Sequence, residues 1–363
     1  MILLPNLLQR WQTGIVACLA LLAATPSLAV EPAKVDLKYR SYRNWKIQLP
    51  NETWFSVKDG IRISHAGGDL FAVSFEGNDL QFDTDGDGKL DRTVKPLVNP
   101  TTNVSTTRVI LSGKTPDGED FKYAVRLRND ANGWEWAPGG AMAGTITTAS
   151  GPIPIRLIDQ NGNGKFDDVG SDAMTIGNSD NAVLLSSTIY AGDDLAQIEY
   201  LNQGKAIALK NYEGETAEID LTTQFESKAV LLSSIIVSED GKHSFDVGAI
   251  QGSVTVPAGT YKLAAGQIGL GKQRVFIEAS KVAPIKLAAG TSKELKWGGP
   301  IQSKFRFDRA GDQVQFSPDA IWYYGKAGER YVGWSPIGKS PEFKITDADT
   351  GAVLEVAILP GSC

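Results

Sequence analysis

The chain is nearly without cysteine and histidine, with two of each in 363 residues. One cysteine, Cys18, falls in an N-terminal apolar stretch, and the other, Cys363, is the last residue. No intramolecular disulfide is therefore expected in the mature protein, even in a compartment that permits one. The terminal thiol reads as a free cysteine, with pairing between chains as the alternative. The histidines, His65 in "RISHAGGD" and His243 in "EDGKHSFD", have no H-E-x-x-H or G-x-S-x-G companion, so the common zinc- and serine-hydrolase signatures are missing. Both read as turn or surface residues. Positive charge is also in short supply, and a net charge of −6 excludes the basic footprint of a nucleic-acid binder. Past the N-terminus no apolar run is long enough to cross a bilayer as a helix.

What is present begins with a leader. Arg10 closes a short basic region, an apolar run extends from Trp11 to about Ala24, and "PSLA" puts Ser27 and Ala29 at the small-residue cleavage positions. This predicts a secretory signal peptide over 1–29. The expected destination is secreted, periplasmic or cell-surface. A lipidated Cys18 in "IVAC" is the competing reading, and the apolar "LALLAA" that follows argues against it.

Glycine is abundant, at 38 residues. Short alternating segments such as "FAVSFEG", "KYAVRLRN", "AEIDLTT" and "KFRFDRAGDQVQF" recur between Gly, Asp, Asn and Pro clusters, as strands do. The fold class expected is mostly β: an N-terminal β domain over 30–180, a β-sandwich over 181–297 and a small β unit over 298–363 packed on the middle one. "NAVLLSSTIYAGDDLAQIEYL" leaves helix and strand open. "WGGP" (Trp297 to Pro300) reads as a linker. "SVTVPAGTYKLAAG" resembles one hairpin of transthyretin-like or carboxypeptidase-regulatory-like modules, which implies an Ig-like or transthyretin-like sandwich there. The series "FDTDGDGKLD", "NGWEWAP", "LIDQNGNGKFDDVGSDAMTIG", "VPAGTYKL", "KWGGP", "GKAGERY" and "GSC" resembles a group of secreted bacterial β-rich proteins without an assigned activity. That resemblance implies an architecture and no mechanism.

The most specific signals are two Asp-rich stretches, "DTDGDGKLD" (83–91) and "DQNGNGKFD" (159–167). A calcium loop supplies oxygens at positions 1, 3, 5 and 9 and a backbone carbonyl at 7, with glycine at 6 where the chain turns sharply. Asp83, Asp85, Asp87, Gly88, Lys89 and Asp91 fill that frame in the first loop. Asp159, Asn161, Asn163, Gly164, Lys165 and Asp167 fill it in the second, with Asp168 and Asp172 able to complete the shell. Leu90 and Phe166 stand at position 8, where an apolar side chain points into the core. Crowded carboxylates repel unless a cation neutralises them, which is the argument for Ca²⁺ over a plain turn; oxygen-only ligands disfavour zinc and copper. Position 12, normally a bidentate glutamate, is Val94 in one loop and Gly170 in the other, and the flanks alternate like strands. These are EF-hand-like loops carried on strands. The second has fewer charges and is expected to bind more weakly.

Other motifs carry less. "GWSPIGKS" (333–340) matches a phosphate-loop pattern, but Pro341 disfavours the helix that pattern needs. "GQIGLGKQ" (266–273) is a near miss, so no nucleotide is expected. Trp134 and Trp136 share one strand face and are either core or a sugar-stacking platform. The function expected is a secreted structural or adhesive protein without catalysis, rigidified by calcium, meeting an envelope or extracellular glycan or protein. The alternatives are a glycan binder using exposed tryptophans and a hydrolase with an unrecognised carboxylate pair.

Overall fold

A computed structural model describes residues 34–66, 70–76, 79–130, 133–311, 313–333 and 342–358. The expected leader with Cys18, most of "GWSPIGKS", and Cys363 lie outside the described residues. Every helix or strand among the described residues is a strand. The ambiguous 181–201 stretch resolves accordingly. Thr188–Ala191 and Asp194–Leu201 pair antiparallel around Gly192, whose φ of +78° suits a tight hairpin turn.

Period-two patterning builds the first core. In Asp120–Asp130, Phe121, Tyr123, Val125 and Leu127 face inward at every second position. That strand pairs with Ser105–Lys114 on one side and Gly133–Pro138 on the other. A second sheet orders Lys38–Ser41, Gly140–Thr148, Gly151–Ile158 and Ala173–Ile176 side by side. Its Ile146, Ile155, Leu157 and Met174 join Leu111, Tyr123, Leu127 and Trp136 in one cluster. The expected boundary at Asp180 does not interrupt this core. Leu185, Ile189, Ile198, Ile207 and Leu209 belong to it, and Ala206–Asn211 supplies the backbone partner of Lys34–Asp36.

The tryptophan pair belongs to this core. Trp136 is buried, with its ring 4.9 Å from that of Phe55, and Trp134 packs half-buried on the same cluster. Trp45 and Trp54 stack with cations instead. The Arg126 guanidinium lies 4.3 Å from the Trp45 ring centre, and that of Arg128 lies 4.1 Å from Trp54.

The second core overturns three local expectations. "WGGP" is no linker: Trp297 is fully buried, its indole N–H donates to the Leu221 carbonyl at 2.7 Å, and Trp297–Gly298 pairs parallel with Phe225–Glu226. The chain beyond it is not a separate small unit up to residue 332. Arg330–Val332 pairs with Gln273–Glu278, so Gln302–Ala310 and Gln313–Tyr324 extend the sheet that contains Val230–Ser238 and Gly259–Leu270. "VPAG" is a corner rather than a hairpin. Val254–Pro257 pairs with Thr216–Asp220, while Gly259–Leu270 joins the other sheet. The buried Tyr261 hydroxyl donates back to the Pro257 carbonyl at 2.8 Å and fastens that corner. "GQIGLGKQ" is the tip of the Gly259–Leu270/Gln273–Glu278 hairpin, with no helix after it. The last described hairpin, Glu342–Thr346 with Val353–Ile358, turns through "DADTG" as its sequence suggests.

Candidate metal centre

Both Asp-rich loops join antiparallel strands. The first connects Asp79–Phe82 to Arg92–Val94, and the second connects Gly151–Ile158 to Ala173–Ile176. The strand-borne setting read from the flanks is therefore the one observed.

In the first loop Asp83 is fully buried. Its carboxylate accepts from the amides of Gly86 (2.8 Å), Asp85 (3.3 Å) and Gly88 (2.8 Å). That winds the backbone around position 1. Asp85 and Asp87 are exposed, and one oxygen from each of Asp83, Asp85 and Asp87 lies within 4.8 Å of the others. Asp91 stands apart from this triad, its two oxygens taking the Thr84 hydroxyl at 2.6 Å and the Thr84 amide at 2.9 Å. The Lys89 side chain reaches back, with Nζ 2.8 Å from Asp87 Oδ2. Gly88 has φ +84° with open space where a Cβ would stand, so the backbone angle and not crowding selects glycine. Leu90 departs from expectation: it is 43% exposed and does not enter the core.

The second loop is set deeper in the protein, with Asp159, Gly162, Gly164 and Phe166 buried and Asn161 exposed. Asp159 and Asp172 are fully buried, and neither has an ion-pair partner among the described residues. Asp159 Oδ1 accepts from Gly162 (2.7 Å) and Asn163 (3.1 Å); Oδ2 accepts from Gly164 (2.5 Å) and from the Tyr123 hydroxyl (2.7 Å). The side-chain amides of Asn161 and Asn163 both donate to Asp168 Oδ2, at 2.8 and 2.6 Å. Asp172 accepts from the amides of Gln160 and Asp168, each at 3.1 Å. Phe166 at position 8 is 6% exposed and packs edge-on to Tyr39. The Asn163 carbonyl accepts from the His65 amide at 2.9 Å, which ties the loop to a distant segment. Gly170, at position 12, donates its amide to the Leu185 carbonyl at 2.9 Å.

Electrostatics separate the loops. Burial pushes the Asp172 carboxyl up to about 8, and the neighbouring Asp159 charge adds to it. Burial also raises Asp159 to about 6, against the pull of Tyr123 and the loop amides. In the exposed loop the signs reverse. The Lys89 side chain holds Asp87 below the ordinary carboxylate value, and the Thr84 hydroxyl does the same for Asp91. Asp167 is raised by burial and then by Asp168.

The structure thus gathers the Asp83, Asp85 and Asp87 carboxylates in one place. In the second loop Asn161 and Asn163 meet at Asp168, Asp159 is bonded to loop amides and Tyr123, and Asp172 to the Gln160 and Asp168 amides; among the described residues no three of its carboxylates come within 4.8 Å of one another. Asp168, not Asp167, receives the asparagine amides. The Lys89 and Lys165 amides donate to the position-5 side chains Asp87 and Asn163, each at 2.8 Å. Tyr123 has no signal in the loop motif, because it comes from a strand that precedes the loop by 36 residues. Elsewhere, His243 Nδ1 lies 3.0 Å from the Thr188 hydroxyl, and burial lowers its pKa. Among the described residues, cavities of about 370, 180 and 410 Å³ have one carboxylate each in their lining, Glu226, Asp246 and Asp180. The chain matches no protein-family model, no curated protein and no solved structure.

Proposed function

We propose that this is a secreted calcium-binding protein, structural or adhesive in role and without a catalytic step, in which Ca²⁺ rigidifies the N-terminal β region. The observation that carries the reading is the mutual approach of Asp83, Asp85 and Asp87 to within 4.8 Å. Calcium takes oxygens at roughly 2.3–2.6 Å, so oxygens that close can share one ion. The buried Asp159 and Asp172, neither of which has an ion-pair partner among the described residues, support a second site, since a cation there would let both ionise where burial alone opposes it. Both loops bridge strands, so an ion there would fix hairpin geometry. An envelope or extracellular glycan or protein is the partner class that suits a secreted, rigidified β scaffold.

Calorimetric titration of calcium into chelator-treated protein tests this. Two binding events are expected, and Asp85→Ala with Asp87→Ala should remove one. At free calcium 100 times Kd, each site should add about 2.7 kcal/mol to unfolding stability. Absence of binding heat and of any thermal shift in the wild type would sink the proposal.

A further inference from the structure

The two position-1 carboxylates are held differently. Asp83 is cradled by backbone amides alone. Asp159 has an additional side-chain donor, the Tyr123 hydroxyl at 2.7 Å on Oδ2. That oxygen also takes the Gly164 amide at 2.5 Å, so it is committed on both sides. Tyr123 is 1% exposed and boxed in: its ring stacks on Phe121 at 5.8 Å, meets Trp136 edge-on at 6.4 Å and lies 6.4 Å from both Tyr39 and Phe166. A phenol that cannot swing fixes the plane of the carboxylate it touches. Groups that hydrogen-bond a metal-ligating carboxylate orient it, and losing one typically weakens metal affinity about 10–100-fold.

We infer that Tyr123 is a positioning residue of the second calcium site: it sets the orientation of Asp159 from the aromatic core and so couples that site, and not the first, to core packing. The inference rests on the calcium reading above. It also explains why burying Asp159 is compatible with ion binding: the carboxylate arrives pre-oriented, and ordering it on binding costs little.

The test uses the full chain carrying Asp85→Ala and Asp87→Ala, so that only the second site remains, with and without Tyr123→Phe. Calcium Kd is read by calorimetry and the thermal midpoint is read in chelator. The expected result is a second-site Kd weaker by about 10–100-fold. In the otherwise wild-type chain, Tyr123→Phe should leave the first-site Kd unchanged. An unchanged second-site Kd beside a lowered midpoint in chelator would make the Tyr123–Asp159 bond merely structural and overturn the inference. If Tyr123→Phe does not fold, the double-alanine protein labelled at the tyrosine ring Cζ carbons decides the matter. A tyrosine resonance should shift with calcium occupancy, and a titration in which none shifts while calcium binds would overturn the inference. A double-alanine protein that binds no calcium while the unmodified protein does would remove the second site and overturn the inference; failure of the calcium reading looks different, because the unmodified protein would then give no binding at all.

Discussion

The two Asp-rich loops share a sequence frame but occupy opposite environments. The first carries Asp at positions 1, 3, 5 and 9, yet only Asp83 is buried, and the loop joins two short strands of a three-stranded sheet. The second has fewer charges, but Asp159, Asp172 and Phe166 are all inside. A Cβ at Gly164 would come within 2.8 Å of Ile63 and 2.9 Å of His65. Counting charges ranks the first loop as the stronger site. Burial argues the other way, because each charge weighs more where water cannot screen it. On the calcium reading proposed above, the difference assigns two roles: an exposed site free to exchange its ion with solvent, and a deeper site whose occupancy is linked to the fold.

The largest test of that contrast is pH in the presence of chelator. In calcium-free folded protein, the Asp172 carboxyl sits at about 8 and the Asp159 carboxyl at about 6, against an ordinary value of 3.8. The folded state then holds protons that the unfolded state releases. The associated stability is fully present below about pH 4 and is lost as pH rises through the folded values. The fall should amount to several kcal/mol, and Asp172→Asn should remove the larger part of it. Asp87 and Asp91 act with the opposite sign: their lowered pKa favours the fold at neutral pH and loses that effect on acidification, weakly because both are exposed. Saturating calcium should abolish the neutral-pH loss. Chelated protein that grows more stable from pH 5 to pH 8 would contradict the buried-site description.

Position 8 gives the next contrast. Phe166 packs among Tyr39 and Tyr123, so Phe166→Ala should cost about 3–5 kcal/mol in a denaturant melt. Leu90→Ala, at the same place in an exposed loop, should stay within about 0.5 kcal/mol. Comparable losses from both would mean the first loop is packed more tightly than its exposure indicates.

The β class and the strand-borne loops were legible because both write themselves locally. Phe121, Tyr123, Val125 and Leu127 recur at period two, and Asp83 and Asp159 begin the D-x-[DN]-x-[DN]-G turns. The failures share one cause. Glycine and proline mark where the chain turns but not whether that turn is inside or outside, so "WGGP" read as a linker although Trp297 lies at the centre of the second core. Leu90 and Phe166 are indistinguishable in their motifs for the same reason. The boundary at Asp180 overlooked Ala206–Asn211, because pairing with Lys34–Asp36 depends on backbone hydrogen bonds that leave no side-chain pattern. The Tyr123–Asp159 bond is likewise a product of how two sheets meet.

The smallest expected effect concerns position 7. Its frame role is a backbone carbonyl, so its side chain should be free to vary. In the first loop it is not neutral: Lys89 Nζ lies 2.8 Å from Asp87 Oδ2, both groups exposed. An ion that engages Asp87 must compete with that ammonium. Exposed pairs of this kind are weak, so Lys89→Met should tighten calcium binding at the first site by no more than a few-fold. The gain should shrink as salt is raised, since salt already screens the pair. Lys165 holds the same position in the second loop and makes no ion pair with Asp167 or Asp168 among the described residues, so Lys165→Met should change second-site affinity less. Equal gains from the two substitutions would mean that general charge, and not direct competition at Asp87, governs the effect of position 7, and the two loops would then differ in burial alone.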